Sequence, residues 1–226
     1  MTELIEPCGL SVAARRTLAP AGREHQHVYR LRSGWCARVR YLRDGGTQVT
    51  AILLPGDLVS VRSMLLEVQP EEIATVTACE FDVVSIAKLR KAAASSSLMI
   101  RLWWQTLEDE RRLHNWLVAL GRGCAEERLA LLLLDIRGRL ALARSIGSND
   151  DEFPWPLTQQ DLADILGLTA VHVNRTLQNL RAKGLVEVKS RRARIDVPAL
   201  HRLAYPLLDI FERNRPEFGA PILAVA

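Results

Sequence analysis

The stretch 157–185, LTQQDLADILGLTAVHVNRTLQNLRAKGL, constrains this chain more than any other, because it encodes two short helices joined by one tight turn. Thr158 is placed to cap the first helix. Asp161, three residues on, can return the bond as in a capping box, where Glu or Gln is the more usual partner. Leu162, Ile165 and Leu166 form an apolar stripe at helical spacing. Gly167 stands where the turn needs positive φ. Thr169 caps the second helix, and Val173, Leu177 and Leu180 are expected to face the first. His172, Asn174, Arg175, Gln178 and Arg181 fall on the opposite face. Asn, Arg and Gln carry donors and acceptors that match base edges in the major groove of duplex DNA. Two amphipathic helices around a glycine also occur in folds that never touch DNA, so the residues that follow carry weight.

Gly184 ends the second helix, and 185–188 begins a short alternating strand. The basic segment KSRRARI at 189–195 then reads as a turn leading into a return strand that reaches Asp196. A helix-turn-helix followed by a β-hairpin is a winged helix. From Thr169 to Arg202, eight Lys and Arg stand against two acids, Glu187 and Asp196. The segment therefore carries +6, while the whole chain carries +4. The excess of positive charge sits where phosphates would lie, with Lys189, Arg191 and Arg192 on the wing. A solvated charged face is the alternative reading of the same run.

The length of 226 residues allows one or two domains with a substantial core. The composition, 48% hydrophobic and 25% charged, is that of an ordinary globular protein. No apolar run reaches the roughly 18 residues of a membrane span, so no membrane partner is expected. The start, MTELIEPCGL, lacks a basic region followed by an apolar core, so no secretory signal is expected either. Cys8, Cys36, Cys79 and Cys124 are scattered, with no CxxC and no Cys/His cluster. No metal and no cofactor is expected, and reduced thiols in a cytoplasm are the simplest account.

Residues 28–90 read as strands and turns. Trp35 to Leu42 alternates Ala37, Val39 and Tyr41 against Arg38 and Arg40, and Asp44-Gly45-Gly46 turns into a second strand carrying Val49, Ala51 and Leu53. Pro55-Gly56-Asp57 makes a further turn, and strands are expected at 73–77 and 81–86. Short strands at this spacing suggest a sandwich or barrel. From Ser95 to Leu120 the pattern becomes helical. Leu98, Leu102, Gln105, Asp109, Leu113, Trp116 and Leu120 recur near a three-four spacing. A helix of that length outruns one small barrel, which predicts a parallel two-helix dimer seam on those seven residues, imperfect at Gln105 and Asp109. A long helix packed within its own chain is the alternative. GRGC at 121–124 reads as a hinge, 126–145 as an apolar helix and SNDDEFPWP at 148–156 as a Pro-rich linker.

In this order, barrel, long helix, hinge and winged helix-turn-helix resemble the Crp/Fnr family of bacterial transcription regulators. The resemblance covers almost the whole chain. It is most specific in LLPGDLV at 53–59, EERLALLLL at 126–134 and the helix-turn-helix itself. It implies an α+β chain with an N-terminal jelly-roll β-barrel, a long dimerisation helix and a C-terminal winged helix-turn-helix domain. The implied divisions are a sensory barrel at 1–94, the dimerisation helix at 95–121 and the DNA-binding domain at 122–226. It also implies a homodimer on a two-fold inverted-repeat site in double-stranded DNA, with RNA polymerase a candidate partner. Members with an Arg-Glu-x-x-x-Arg set on the second helix use it on base edges. The matching positions are Ala170, Val171 and Arg175, of which only the last agrees.

The departures bear on the effector. Members that bind cyclic nucleotides follow Pro-Gly-Asp with Gly-Glu-Leu and an Arg-Ser pair, whose Arg holds the cyclic phosphate. Glu72 and Ile73 align with that pair here, and an acid there would repel phosphate. Cyclic AMP is therefore not expected to bind, and the effector is not identified. Arg62 is nearby in sequence but off the spacing, and is expected on the surface. The branch with an iron–sulfur cluster uses grouped N-terminal cysteines, which Cys8 alone cannot replace. His25 and His27 share a face if they lie on a strand, which would allow a metal pair, although surface histidines are the commoner case. Cys36 and Cys79 fall in expected strands, as buried inert thiols or as a redox sensor. The apolar tail GAPILAVA at 219–226 packs on its own domain or docks on a partner. Paired carboxylates, a nucleophile elbow and a phosphate loop are all missing, so an enzyme is not expected. A second class of reading remains: a ligand-sensing or protein-interaction module that has lost specific DNA binding.

Overall fold

The computed structural model describes residues 6–66, 68–92 and 96–207, without the side chains of 6–8, 96–98 and 101. Leu98, Cys8 and the tail at 219–226, on which three sequence expectations rest, lie outside the described side chains. The chain divides into two compact units, 1–104 and 105–226.

Among the described residues the first unit holds eight strands: β1 (Glu6–Val12), β2 (Thr17–Ala19), β3 (His27–Ser33), β4 (Cys36–Tyr41), β5 (Thr47–Leu53), β6 (Leu58–Val59), β7 (Glu72–Thr75) and β8 (Cys79–Ser85). They form two antiparallel four-stranded sheets, in the orders β1-β8-β3-β6 and β2-β7-β4-β5. The sandwiched core is Tyr29, Leu31 and Phe81 from one sheet against Ala19, Leu53 and Ile73 from the other, with Cys36 and Cys79 among them. Alternation along β3 decides which residues enter it. Tyr29 and Leu31 point inward, and Val28 points out of the sandwich. Val28 is covered in turn by Val84, Met64 and the helix α1 (Ile86–Ala92), and by Leu102 from the start of α2 (Ser96–Arg122). Leu102 is 6% exposed, so it closes the outer face of its own barrel and is not available to the expected dimer seam. The expected strands at 35–42 and 47–54 hold to within a residue or two. Those at 73–77 and 81–86 shift by one or two residues toward the N-terminus, because the turn between them centres on 76–78.

In the second unit α3 (Ala125–Leu142) supplies the core. Leu129, Leu133, Ile136 and Leu140 are almost fully buried at three-four spacing, and α6 (Val197–Ala204) packs on it with Leu200 and Ala204. The helix-turn-helix is α4 (Gln159–Leu166) and α5 (Ala170–Ala182). The wing is β10 (Val186–Lys189) and β11 (Arg192–Ile195).

Two sequence expectations change here. The segment read as a polar linker contains β9 (Glu152–Pro154), a third wing strand paired antiparallel to β11. Its Pro-rich composition is compatible with an edge strand, which needs few N–H donors. Phe153 at 0% exposure and Trp155 at 2% make it core. The basic turn read as 189–195 shrinks to Ser190 and Arg191, both at positive φ (50° and 59°). Two consecutive left-handed residues match the twist of a two-residue hairpin, a shape that Asn and Gly usually supply. Among the described residues no helix is long and apolar enough to cross a membrane.

Candidate nucleic-acid interface

The caps of the helix-turn-helix form as their residues dictate. Thr158 Oγ1 accepts from the Asp161 amide at 3.1 Å, and Asp161 Oδ2 accepts from the Thr158 amide at 2.7 Å. Gly167 closes α4 at φ 64°, and Thr169 Oγ1 accepts from the His172 amide at 3.2 Å. These bonds fix the angle at which α5 leaves the turn. Val173, Thr176 and Leu180 then form the buried side of α5, and Leu177 is half-buried. Thr176 is tolerated there because its hydroxyl donates to the His172 carbonyl at 2.9 Å.

The outer side of α5 presents Val171, Arg175 and Gln178 one above another, with His172 beside them and Arg181 a turn further on, all exposed. Val171 is 81% exposed, a large apolar group with no structural reason to face water. Ala170 is half-buried. Asn174 is turned away from this row and donates to Gln159 Oε1, the first residue of α4, at 3.2 Å. Thr158, Thr169 and Gln159 are exposed at the adjoining helix starts, whose free amides attract anions. Gln159 was not singled out by sequence reasoning, although its place just after the cap is legible.

Sequence charge counting treated the eight cations alike. The structure sorts them. Arg192 and Arg194 both donate to the Glu152 carboxylate, Arg194 at 2.8 Å. The hydrogen bond from Arg192, followed by that from Arg194, holds the Glu152 carboxyl below its ordinary range. Lys183 pairs with Glu126 of α3, which also accepts from Asn179 at 3.3 Å. Arg175, Arg181, Lys189 and Arg191 are exposed and make no ion pair among the described residues. Glu126 and Glu152 lie outside the segment whose charge was counted, which is why counting missed them.

Arg128 was also missed. Its guanidinium donates to the carbonyls of Gly123 (3.0 Å) and Leu120 (2.9 Å) at the end of α2, and to that of Leu166 (3.2 Å) at the end of α4. One cation thus satisfies orphan carbonyls of two helices and ties the helix-turn-helix to α2. The expected seam residues on α2 are scattered by this packing. Gln105, Asp109, Trp116 and Leu120 are half-buried, with Asp109 accepting from Arg112 at 2.8 Å, and Leu113 is exposed. A neighbouring row, Ile100, Trp103, Leu107 and Leu117, is more exposed, at 54–69%.

In the barrel, Glu72 and Ile73 sit apart. Ile73 is wholly inside the core, whereas the Glu72 carboxylate accepts from Tyr41 (2.9 Å) and Thr17 (3.1 Å). The buried acid is Glu71, at 7% exposure. It accepts from Arg62 (3.3 Å), Arg40 (3.4 Å) and Thr50 (3.1 Å). Arg62 is half-exposed, as expected, but its head group is engaged rather than free. Gln69 and Ser63 continue this network inward. His25 and His27 flank Tyr29, and burial followed by His27 lowers the pKa of His25. No group of three or more His, Cys, Asp or Glu able to hold a metal ion occurs among the described residues.

Two family models match the chain. The cyclic nucleotide-binding domain covers residues 10–96, and the Crp-like helix-turn-helix domain covers 127–205. The nitrogen fixation regulation protein FixK of Azorhizobium caulinodans is 31% identical over 181 residues, 79% of this chain and 71% of that protein. The transcriptional activator protein FnrA of Stutzerimonas stutzeri is 26% identical over 184 residues, 79% of this chain and 72% of that protein. Among solved structures, FixK2 from Bradyrhizobium japonicum superposes with a TM-score of 0.76 at 25% identity, covering 86% of this chain and 96% of its own. These relatives are transcription regulators, not enzymes. The chain, with its sheet-rich nucleotide-binding-type domain and its Crp-like helix-turn-helix, belongs to the Crp/Fnr family of transcription regulators.

Proposed function

We propose that this regulator acts in the cytoplasm as a homodimer that reads a two-fold inverted repeat in double-stranded DNA through α5, and that its barrel does not bind cyclic AMP. The observation that carries the reading is the exposed row Val171, Arg175 and Gln178, flanked by Lys189 and Arg191 of the wing, which are exposed and make no ion pair among the described residues. Arg175 makes the main base contact, bidentate to a guanine, and Val171 meets a thymine methyl. His172, Thr158, Thr169 and Gln159 lie where the flanking phosphates pass, with Lys189 and Arg191 against the adjoining backbone. Arg192 joins them only when it leaves Glu152.

For the dimer seam we propose a register other than the one expected from the sequence. Ile100, Trp103, Leu107 and Leu117 follow the three-four-ten spacing of one heptad stripe, with Glu110 and His114 at the intervening positions. Exposure of three large apolar side chains and a Trp along one line favours a second copy of this helix over solvent. An inverted repeat would require the two α5 helices of such a dimer to stand about one helical turn of DNA apart. The working division is the one drawn from the sequence: barrel to 94, dimerisation helix to 121, DNA-binding domain beyond it.

Against cyclic AMP, the position aligned with the phosphate-holding Arg is Glu72, and the neighbouring cations Arg40 and Arg62 are already held by Glu71. RNA polymerase is the partner that transcription control would add. The test is selection from a random duplex pool with the full-length protein, alongside light scattering. A palindromic motif from a dimer is expected. No retention of random duplex even at low salt would favour the alternative, an interaction module without DNA binding.

A further inference from the structure

The barrel brings two thiols together that the transcription reading leaves without a role. Cys36 opens β4 and Cys79 opens β8, so the pair spans the two sheets. Their sulfurs lie 3.6 Å apart in the core, at 0% and 2% exposure. The surrounding backbone holds them there. The Trp35 carbonyl accepts from the amides of Val76 (2.7 Å) and Thr77 (3.3 Å) and from the Cys79 thiol (3.3 Å). The Trp35 amide in turn donates to Thr77 Oγ1 at 2.9 Å. The β3–β4 and β7–β8 turns are thereby laced together around the two sulfurs. On one side the backbone of Gly34 packs directly against Cys79. A Cβ there would stand 2.7 Å from the sulfur and 2.2 Å from the Ala78 carbonyl oxygen, and φ is +88°, so only glycine fits.

We propose that Cys36 and Cys79 are a modification site for hydrogen peroxide, forming a reversible disulfide that staples the two sheets of the barrel. Cys79 attacks first. Either thiol can donate in the bond between the two sulfurs; with Cys36 as donor the pKa of Cys79 is lowered and that of Cys36 raised. Asp57 near Cys36 adds to the asymmetry, since its negative charge opposes ionisation there. The Cys79 sulfur attacks one oxygen of the peroxide. The O–O bond breaks, the other oxygen leaves as water, and Cys79 becomes a sulfenic acid. Cys36 then attacks that sulfur and forms the S–S bond, its proton leaving with the displaced hydroxide as a second water. Two thiols are oxidised and one peroxide is reduced to two waters. Closing the bond takes the sulfurs from 3.6 Å to about 2.05 Å, which side-chain rotation at two strand ends can accommodate. A dithiol reverses it. The linked residues are 43 apart in sequence, so the bond restrains the unfolded chain and the oxidised barrel unfolds at higher temperature.

The test uses the reduced full-length protein, hydrogen peroxide and peptide mapping without reductant. Trypsin releases Cys36 in the peptide 33–38 and Cys79 in 63–88. The expected result is a mass loss of two hydrogens and a cross-linked 33–38/63–88 species, reversed by dithiothreitol, before oxygen accumulates on the exposed Cys124. Wild-type mapping decides the matter even if Cys36→Ala or Cys79→Ala fails to fold. Oxidation of Cys124 while both barrel thiols remain open to alkylation after unfolding would overturn the proposal. So would a separate oxygen adduct on either barrel thiol without the link, or a disulfide from either to another cysteine.

Discussion

Two clusters of cations, one in each unit of this chain, are treated in opposite ways. In the barrel, Arg40 and Arg62 converge on one buried acid, Glu71, and are neutralised within the fold. On the C-terminal unit, Arg175 and Arg191 project into solvent with no acid beside them among the described residues. The first arrangement stabilises a structure, and the second leaves charge for a partner. Glu152 lies between these cases, an exposed acid that holds two wing arginines without burying them. Arginine count alone therefore says little about where nucleic acid binds, and what matters is which guanidinium groups the fold has already paired.

The largest effects are expected in the two cores. Phe81 and Phe153 are both at 0% exposure, one in each unit. Phe81→Ala and Phe153→Ala should each cost about 3–5 kcal/mol in urea unfolding. A loss near zero at Phe153 would return 152–154 to the status of a linker. Next comes the outward charge. Arg175→Ala should lose about 1–3 kcal/mol of discrimination at one symmetric pair of base positions, read by selection from random DNA, with stability unchanged. Arg191→Ala should weaken all sequences alike, and an unchanged motif for Arg175→Ala would show that α5 is read in another register. The inward charge should respond in stability instead. Glu71→Gln should cost about 1–2 kcal/mol, held down because Arg40 and Arg62 are half-exposed and can turn to water, and should leave the DNA motif intact.

Glu152→Gln tests the intermediate case. Freeing Arg192 and Arg194 should raise affinity for random duplex and steepen its salt dependence by about one or two counterions. The same release should follow acidification. Glu152 has its pKa lowered by Arg192 and Arg194, so the clamp is complete above the ordinary carboxylate range and is lost as pH falls through the lowered value. An unchanged salt slope would mean that neither arginine reaches phosphate. The smallest effect expected is none at all: calorimetry with cyclic AMP should show no heat of binding at micromolar ligand, and a micromolar Kd would overturn the alignment of Glu72.

Local chemistry was legible from residue order alone. Thr158 with Asp161, Gly167, Thr169 and the apolar stripes of α4 and α5 each depend on neighbours within four positions, so their caps, turn and buried faces follow from spacing. The strand alternation of β4 and β5 is legible for the same reason. Long-range pairing was not. That Leu102 closes a barrel, that 152–154 joins the wing, that Glu71 rather than Glu72 is the buried acid, and that Arg128 caps two helices all depend on residues distant in sequence. Charge behaves likewise. Sequence sets the total, +4, and leaves a local excess of +6 over 169–202, but Glu152 and Glu126 decide which of those cations stay free. Periodicity is a property of one segment and can be read there. The facing of Cys36 by Cys79 across two sheets is a property of two segments, and only the folded backbone brings them to 3.6 Å.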